Sequence, residues 1–137
     1  MWWVYALFSA FFAALTTILG KIGVQQINAN LATAIRTGVV LVLAWGIVLT
    51  RGEQAGITGI PPRTLLFLLL SGIATGLSWL CYFKALQLGK ASLVAPLDKS
   101  SLVMTLLLAA IFLGEPLHAK TICGALLIVA GTLVLLF

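Results

Sequence analysis

Acidic side chains are nearly absent from this chain: Glu53, Asp98 and Glu115 are the only three among 137 residues. Charge of either sign makes up 8% of the residues, against roughly 25% in soluble domains. That excludes an ordinary soluble module, whose surface needs mixed charge to stay solvated. So few acids also exclude paired-carboxylate chemistry, and the single histidine, His118, has no positioned acid or nucleophile to work with. No phosphate-cradling glycine loop and no metal-ligand cluster can be read from the spacing, so neither an enzyme nor a cofactor is expected. Basic runs are lacking too. Eight Lys and Arg give a net charge of +5, but they are scattered singly, which argues against a nucleic-acid partner. Cysteine is scarce. Cys81 and Cys123 form neither a CxxC motif nor a disulfide framework, and both sit in apolar runs where burial as small hydrophobes is expected. The start, Met-Trp-Trp-Val, lacks the basic region and small-residue cleavage site of a signal peptide, so the first apolar segment is expected to be retained.

What remains is hydrocarbon: 62% of the residues are hydrophobic. A helix needs about 20 mostly apolar residues to cross ~30 Å of lipid core. Five such segments are expected, at about 3–24, 31–50, 63–84, 91–113 and 119–137. Between them lie a polar turn, Gln25 to Asn30, and the long loop from Arg51 to Pro62. Gly89 and the sequence Gly114-Glu115-Pro116 mark two shorter breaks. The expected fold is an all-α membrane protein: one domain over residues 1–137, with the lipid bilayer as its solvent. An odd number of spans puts the chain ends on opposite faces. Trp2, Trp3 and Tyr5 read as an interfacial aromatic belt.

Charges inside the spans are the candidate functional residues, because lipid solvates them poorly. Asp98 lies about two turns into the fourth span, immediately after Pro96, which removes a backbone donor and is expected to loosen the helix there. Broken helices beside ionisable groups are the pattern of transporter sites. Burial raises a carboxyl pKa and a nearby cation lowers it, so Asp98 could bind a coupling proton; a static pair with a lysine on another helix or protomer is the bland alternative. Lys99 is adjacent and, on a regular helix, points about 100° away from Asp98. Arg36 could anchor an anion bidentately or snorkel to the interface. Lys21 and Lys84 sit near span ends, where snorkelling competes with a place in the pathway. Trp79 and Tyr82 could stack on an organic ligand or join an aromatic belt. Gly72-Ile-Ala-Thr-Gly76 is a GxxxG whose first reading is helix packing.

Orientation is balanced. Arg51, Arg63 and Lys120 fall on the face of the N-terminus, and Lys21, Lys84 and Lys90 on the other, so the positive-inside signal cancels. A chain that inserts both ways round can supply both halves of an inverted-repeat carrier as an antiparallel homodimer.

The stretch from Tyr82 to Leu97, reading Tyr-Phe-Lys-Ala-Leu-Gln-Leu-Gly-Lys-Ala-Ser-Leu-Val-Ala-Pro-Leu, followed by Leu113-Gly-Glu-Pro and Gly124, resembles an EamA domain of the drug/metabolite transporter superfamily. Gly20-Lys21-Ile-Gly23 and Arg36 are consistent with it. Most members carry two such repeats and ten helices; this chain is similar to the single-repeat, five-helix branch of bacteria and archaea, as is its Asp98-Lys99 pair. The resemblance implies a cell-membrane carrier that moves small metabolites, often outward, without ATP. Cations outnumber acids in the spans, which favours anionic or zwitterionic solutes. A dual-topology passive channel and a non-transporting or lipid-translocating subunit are the competing classes.

Overall fold

The computed structural model describes residues 1–137. It is all helical, with five helical segments long and apolar enough to cross a membrane, of 22, 22, 27, 23 and 18 residues. Contact patterns divide the chain into two compact units, Met1–Leu88 and Gly89–Phe137.

The first unit contains α1 (Trp2–Gly23), α2 (Ala29–Thr50), a 3-10 segment (Glu53–Gly59) and α3 (Pro62–Leu88). Asn28 caps α2, its side chain accepting the Asn30 N–H at 2.8 Å, which satisfies one of the orphan donors of a helix start. After α2 the chain turns at Gly52, whose φ of 70° is the left-handed conformation that glycine adopts without a Cβ penalty. Pro62 opens α3 at the position where its missing N–H is harmless. α3 continues four residues beyond the expected end, to Leu88, because Lys84-Ala-Leu-Gln-Leu88 are all good helix formers and nothing breaks them. Lys84 therefore lies within the helix.

Packing in this unit is confined to one end. Its buried residues are Thr17, Val24, Ala29, Thr33, Phe83 and Leu86, all near the end of α1, the start of α2 and the end of α3. No residue in the opposite half of the three helices is buried. Gly72 and Gly76 belong to that half, and a Cβ built on either meets nothing within 4 Å, so the GxxxG packs on no helix of its own chain. Cys81 and Cys123 are exposed, not buried as expected. In a membrane helix an apolar side chain needs lipid, not a core, so hydrophobicity alone did not place them inside.

The second unit contains α4 (Ala91–Asp98), α5 (Ser101–Leu108), which runs into a π-helical turn at Ala109–Leu113, and α6 (Ala119–Leu136). The span expected at 91–113 is thus present but interrupted. Pro96 leaves the Ser92 carbonyl without its usual helical donor, yet the helix holds for two more residues before opening at Lys99 and Ser100. There the bonds shorten to the three-residue type: Lys99 N–H to Pro96 O at 3.1 Å and Ser100 N–H to Leu97 O at 3.0 Å. Gly114, at φ 67°, terminates the π turn. Within this unit only Thr132 is buried. Its hydroxyl donates to Ile128 O at 2.9 Å and reaches Pro96 O at 3.3 Å, linking α6 to the interrupted helix.

Candidate functional site

Two of the sequence-derived candidates, Arg36 and Trp79, are brought together, and a third residue joins them that sequence reasoning did not single out. The Arg36 Cζ lies over the Trp79 ring, 4.4 Å from its centroid, and over the Phe83 ring at 4.9 Å. Phe83 follows Trp79 by one helical turn on α3, so both rings share a face. That spacing was the available signal. Arg36 is the eighth residue of α2, about 10 Å along the helix from its start at Ala29.

The guanidinium is partly buried, and its Nη1 is fully buried with no hydrogen-bond partner. Glu53, the one acid of its own unit, does not pair with it and stands beside Arg51. Cation–π contacts supply up to ~2 kcal/mol when desolvated. Desolvating an arginine costs several kcal/mol, or about 2.5–3.5 kcal/mol at the bilayer centre by insertion scales. For this partly buried group only a share of that cost applies, concentrated at Nη1, and the two rings offset part of it.

Arg36 opens on a cavity of about 370 Å³ lined by Thr16, Leu19, Gly20 and Gly23 of α1, Ile27 of the turn, Ala32 and Ile35 of α2, and Phe83. A ladder of bonds between α1 and α3 holds its walls. Thr17 Oγ1 donates to Ala13 O at 3.0 Å, which commits its one proton; Tyr82 OH, 2.7 Å away, then donates to Thr17. Tyr82 is thus turned toward α1 and meets Phe83 edge-on at 6.0 Å. Lys21 Nζ donates to Leu86 O at 2.6 Å, serving a carbonyl in the last turn of α3. Gln87 Nε2 donates to Val24 O at 3.2 Å and Ile27 O at 2.9 Å, and Lys84 Nζ donates to Gln87 Oε1 at 3.2 Å. Gly20 completes the fit: a Cβ there would stand 2.9 Å from Phe83 Cε1.

In the second unit, Asp98 and Lys99 occupy the helix interruption after Pro96. Their side chains face one another, Lys99 Nζ to Asp98 Oδ2 at 3.8 Å, which corrects the expectation that adjacent residues must diverge. The Lys99 backbone is still near-helical, at φ −68° and ψ −12° with its N–H also on Ala95 O at 3.3 Å, so the flexible lysine side chain closes the gap. With 57% and 41% of their side chains exposed, this is a loose pair in which each group stays available to a solute or proton.

The EamA-like transporter family model matches residues 1–137, the whole chain. The chain belongs to the EamA-like transporter family. It is 52% identical over 134 residues to an uncharacterized transporter in the cobO 3' region of Sinorhizobium sp, covering 98% of this chain and 95% of that one. No solved structure matches. EamA membership, with five apolar helices of spanning length, makes this an integral membrane transporter that sits in the lipid bilayer and handles small solutes. Family members generally move solutes without transforming them.

Proposed function

We propose that this EamA protein is a secondary transporter, an exporter or exchanger, of small organic metabolites with an anionic or zwitterionic head. One observation carries the reading: Arg36, set against Trp79 and Phe83 at the mouth of a cavity, has no anion of its own. A carboxylate on the solute supplies it through charge-assisted, paired hydrogen bonds. Asp98, beside a helix interruption, is the group for a coupling proton, with Lys99 its competing partner. Pro96 is the origin of that interruption. Lys21 and Lys84 have supporting roles near the Arg36 cavity: Lys21 ties α1 to the end of α3, and Lys84 holds Gln87, which bonds Val24 and Ile27.

The whole chain acts as one EamA domain and works as an antiparallel homodimer by alternating access. Three observations support this: cations balanced across the two faces, a half of the first unit in which no residue is buried, and Gly72 and Gly76 open to close approach. The bacterial relative supports a cytoplasmic (inner) membrane location.

Reconstitution in proteoliposomes tests the reading. Saturable exchange with counterflow of organic anions, sensitive to pH, is expected; rapid unsaturable flux would assign a channel instead. For topology, Gln54→Cys is placed in a Cys81→Ser, Cys123→Ser background, which is needed because both native thiols are exposed. Labelling of about half the molecules from each side is expected, and labelling of every molecule from one side would remove the antiparallel dimer.

A further inference from the structure

The cavity beside Arg36 is more selective than the transporter reading requires. Its lining contains one cation, Arg36, one hydroxyl residue, Thr16, and otherwise only Leu19, Gly20, Gly23, Ile27, Ala32, Ile35 and Phe83. No acid is among them, so no counter-charge there receives an ammonium group, and the Phe83 face already carries the Arg36 guanidinium. Glu53, the acid of the same unit, stands beyond the far end of α2, about 25 Å of helix from Arg36. A zwitterion would bring its positive end next to the uncompensated guanidinium, an arrangement that like-charge repulsion disfavours. A monocarboxylate brings only what the site lacks, and its hydrocarbon meets an apolar wall.

We propose that this cavity binds a compact aliphatic monocarboxylate, the carboxylate on the Arg36 guanidinium and the hydrocarbon among Leu19, Ile27 and Ile35, with Gly23 setting the permitted bulk. The proposal rests on the reading of Arg36 as the anion anchor of the transporter and narrows it to one solute class. Gly23 is the sizing position because it lines the cavity and a Cβ built there meets nothing within 4 Å, so a larger side chain is accommodated without displacing protein. Gly20 differs: a Cβ there runs into Phe83 and disturbs the site itself.

The test is direct binding to the solubilised full-length chain, by titration calorimetry, with isovalerate as probe. Valine, the same carbon skeleton with an ammonium group added, and isovaleramide, its uncharged analogue, are the comparators. Isovalerate is expected to bind at least tenfold tighter than either, and Arg36→Gln to abolish its binding. Gly23→Val is expected to unfold at the same temperature as the parent without ligand. It should bind isovalerate at least tenfold more weakly while retaining acetate. Valine binding as tightly as isovalerate, undiminished isovalerate binding in Arg36→Gln, or unchanged isovalerate affinity in Gly23→Val would each overturn the proposal. Binding and flux separate the two readings. Saturable flux of other solutes with no isovalerate binding sinks this inference and leaves the transporter standing; isovalerate binding with no saturable flux of any solute does the reverse.

Discussion

Arg36 in the first unit rests on two aromatic rings and has no carboxylate partner, whereas Lys99 in the second unit has Asp98 beside it at 3.8 Å. The surroundings differ in the same sense. Around Arg36 the ends of α1 and α3 are tied by Tyr82 to Thr17, Lys21 to Leu86 and Gln87 to Val24, over a buried group of Val24, Ala29, Phe83 and Leu86. Around Asp98 the helix is interrupted, and Thr132 is the one buried side chain of its unit. A rigid frame suits a group that must meet a ligand at fixed geometry. An interrupted helix with a loose ion pair suits a group whose partner must change during a cycle. On the function proposed above, recognition falls to the first unit and coupling to the second.

The largest expected effect breaks the first side of that contrast. Arg36→Gln removes the only cation of the cavity and should lower kcat/KM for organic anions by about 100-fold, the order expected for losing hydrogen bonds to a charged group. Arg36→Lys keeps the charge and loses the planar fork, so roughly tenfold is expected. Initial-rate flux in proteoliposomes measures both, with helix content by circular dichroism as the check on folding. An Arg36→Gln carrier that transports anions normally would remove the recognition role.

Asp98→Asn breaks the other side. About tenfold slower exchange is expected, with a pH dependence that differs from the parent's, since the amide cannot take up or release a proton. A parent-like pH profile in Asp98→Asn would remove the coupling role.

How much of this was legible before the structure differs by scale. The five spans could be read because each is a run of about 20 residues almost free of charge, and composition alone marks such runs. Arg36 and Trp79 could be singled out, but not paired: they are far apart in sequence and on different helices. Phe83 was missed because an aromatic one turn from Trp79 in a greasy helix reads as lipid-facing. The hydrogen bond of Tyr82 could not be foreseen, its partner Thr17 being 65 residues away. Pro96 located the weak point of the fourth span, but the break falls at Lys99, after the bonds tighten to three residues, and the flexible lysine side chain there closes on Asp98. Cys81 and Cys123 were placed by a rule for soluble cores that does not hold in lipid.

A smaller effect sharpens the frame side of the comparison. Gly20→Ala gains about 1 kcal/mol of helix propensity, but its Cβ would sit 2.9 Å from Phe83, a ring with 2% of its surface exposed. Overpacking of this kind costs roughly 1–3 kcal/mol, so a net loss of about 1 kcal/mol is expected. Phe83 must shift, and with it one of the two rings under Arg36. Anion affinity should therefore fall by about threefold, read by calorimetry on the solubilised protein, while the pH profile of transport stays unchanged. A Gly20→Ala variant that altered the pH profile would show that the two units do not divide the work.

The smallest effect belongs to Thr132, whose hydroxyl reaches the Pro96 carbonyl from α6 at 3.3 Å while bonding Ile128 O in its own helix at 2.9 Å. Thr132→Val keeps the shape and deletes both bonds. Inter-helix hydrogen bonds within membranes average only about 0.6 kcal/mol, so the unfolding temperature should hardly move. The consequence should be local. With the Pro96 carbonyl released from α6, the turn that begins with the Lys99 N–H on that carbonyl is less held, and the amides of 99–103 should exchange with solvent about threefold faster, while those of Thr17 and Phe83 in the first unit keep their rates. Hydrogen exchange by mass spectrometry reads both regions in one experiment. Equal acceleration in both would mean that Thr132 supports the whole chain; no acceleration at 99–103 would mean that the interruption is held by its own three-residue bonds and not by α6.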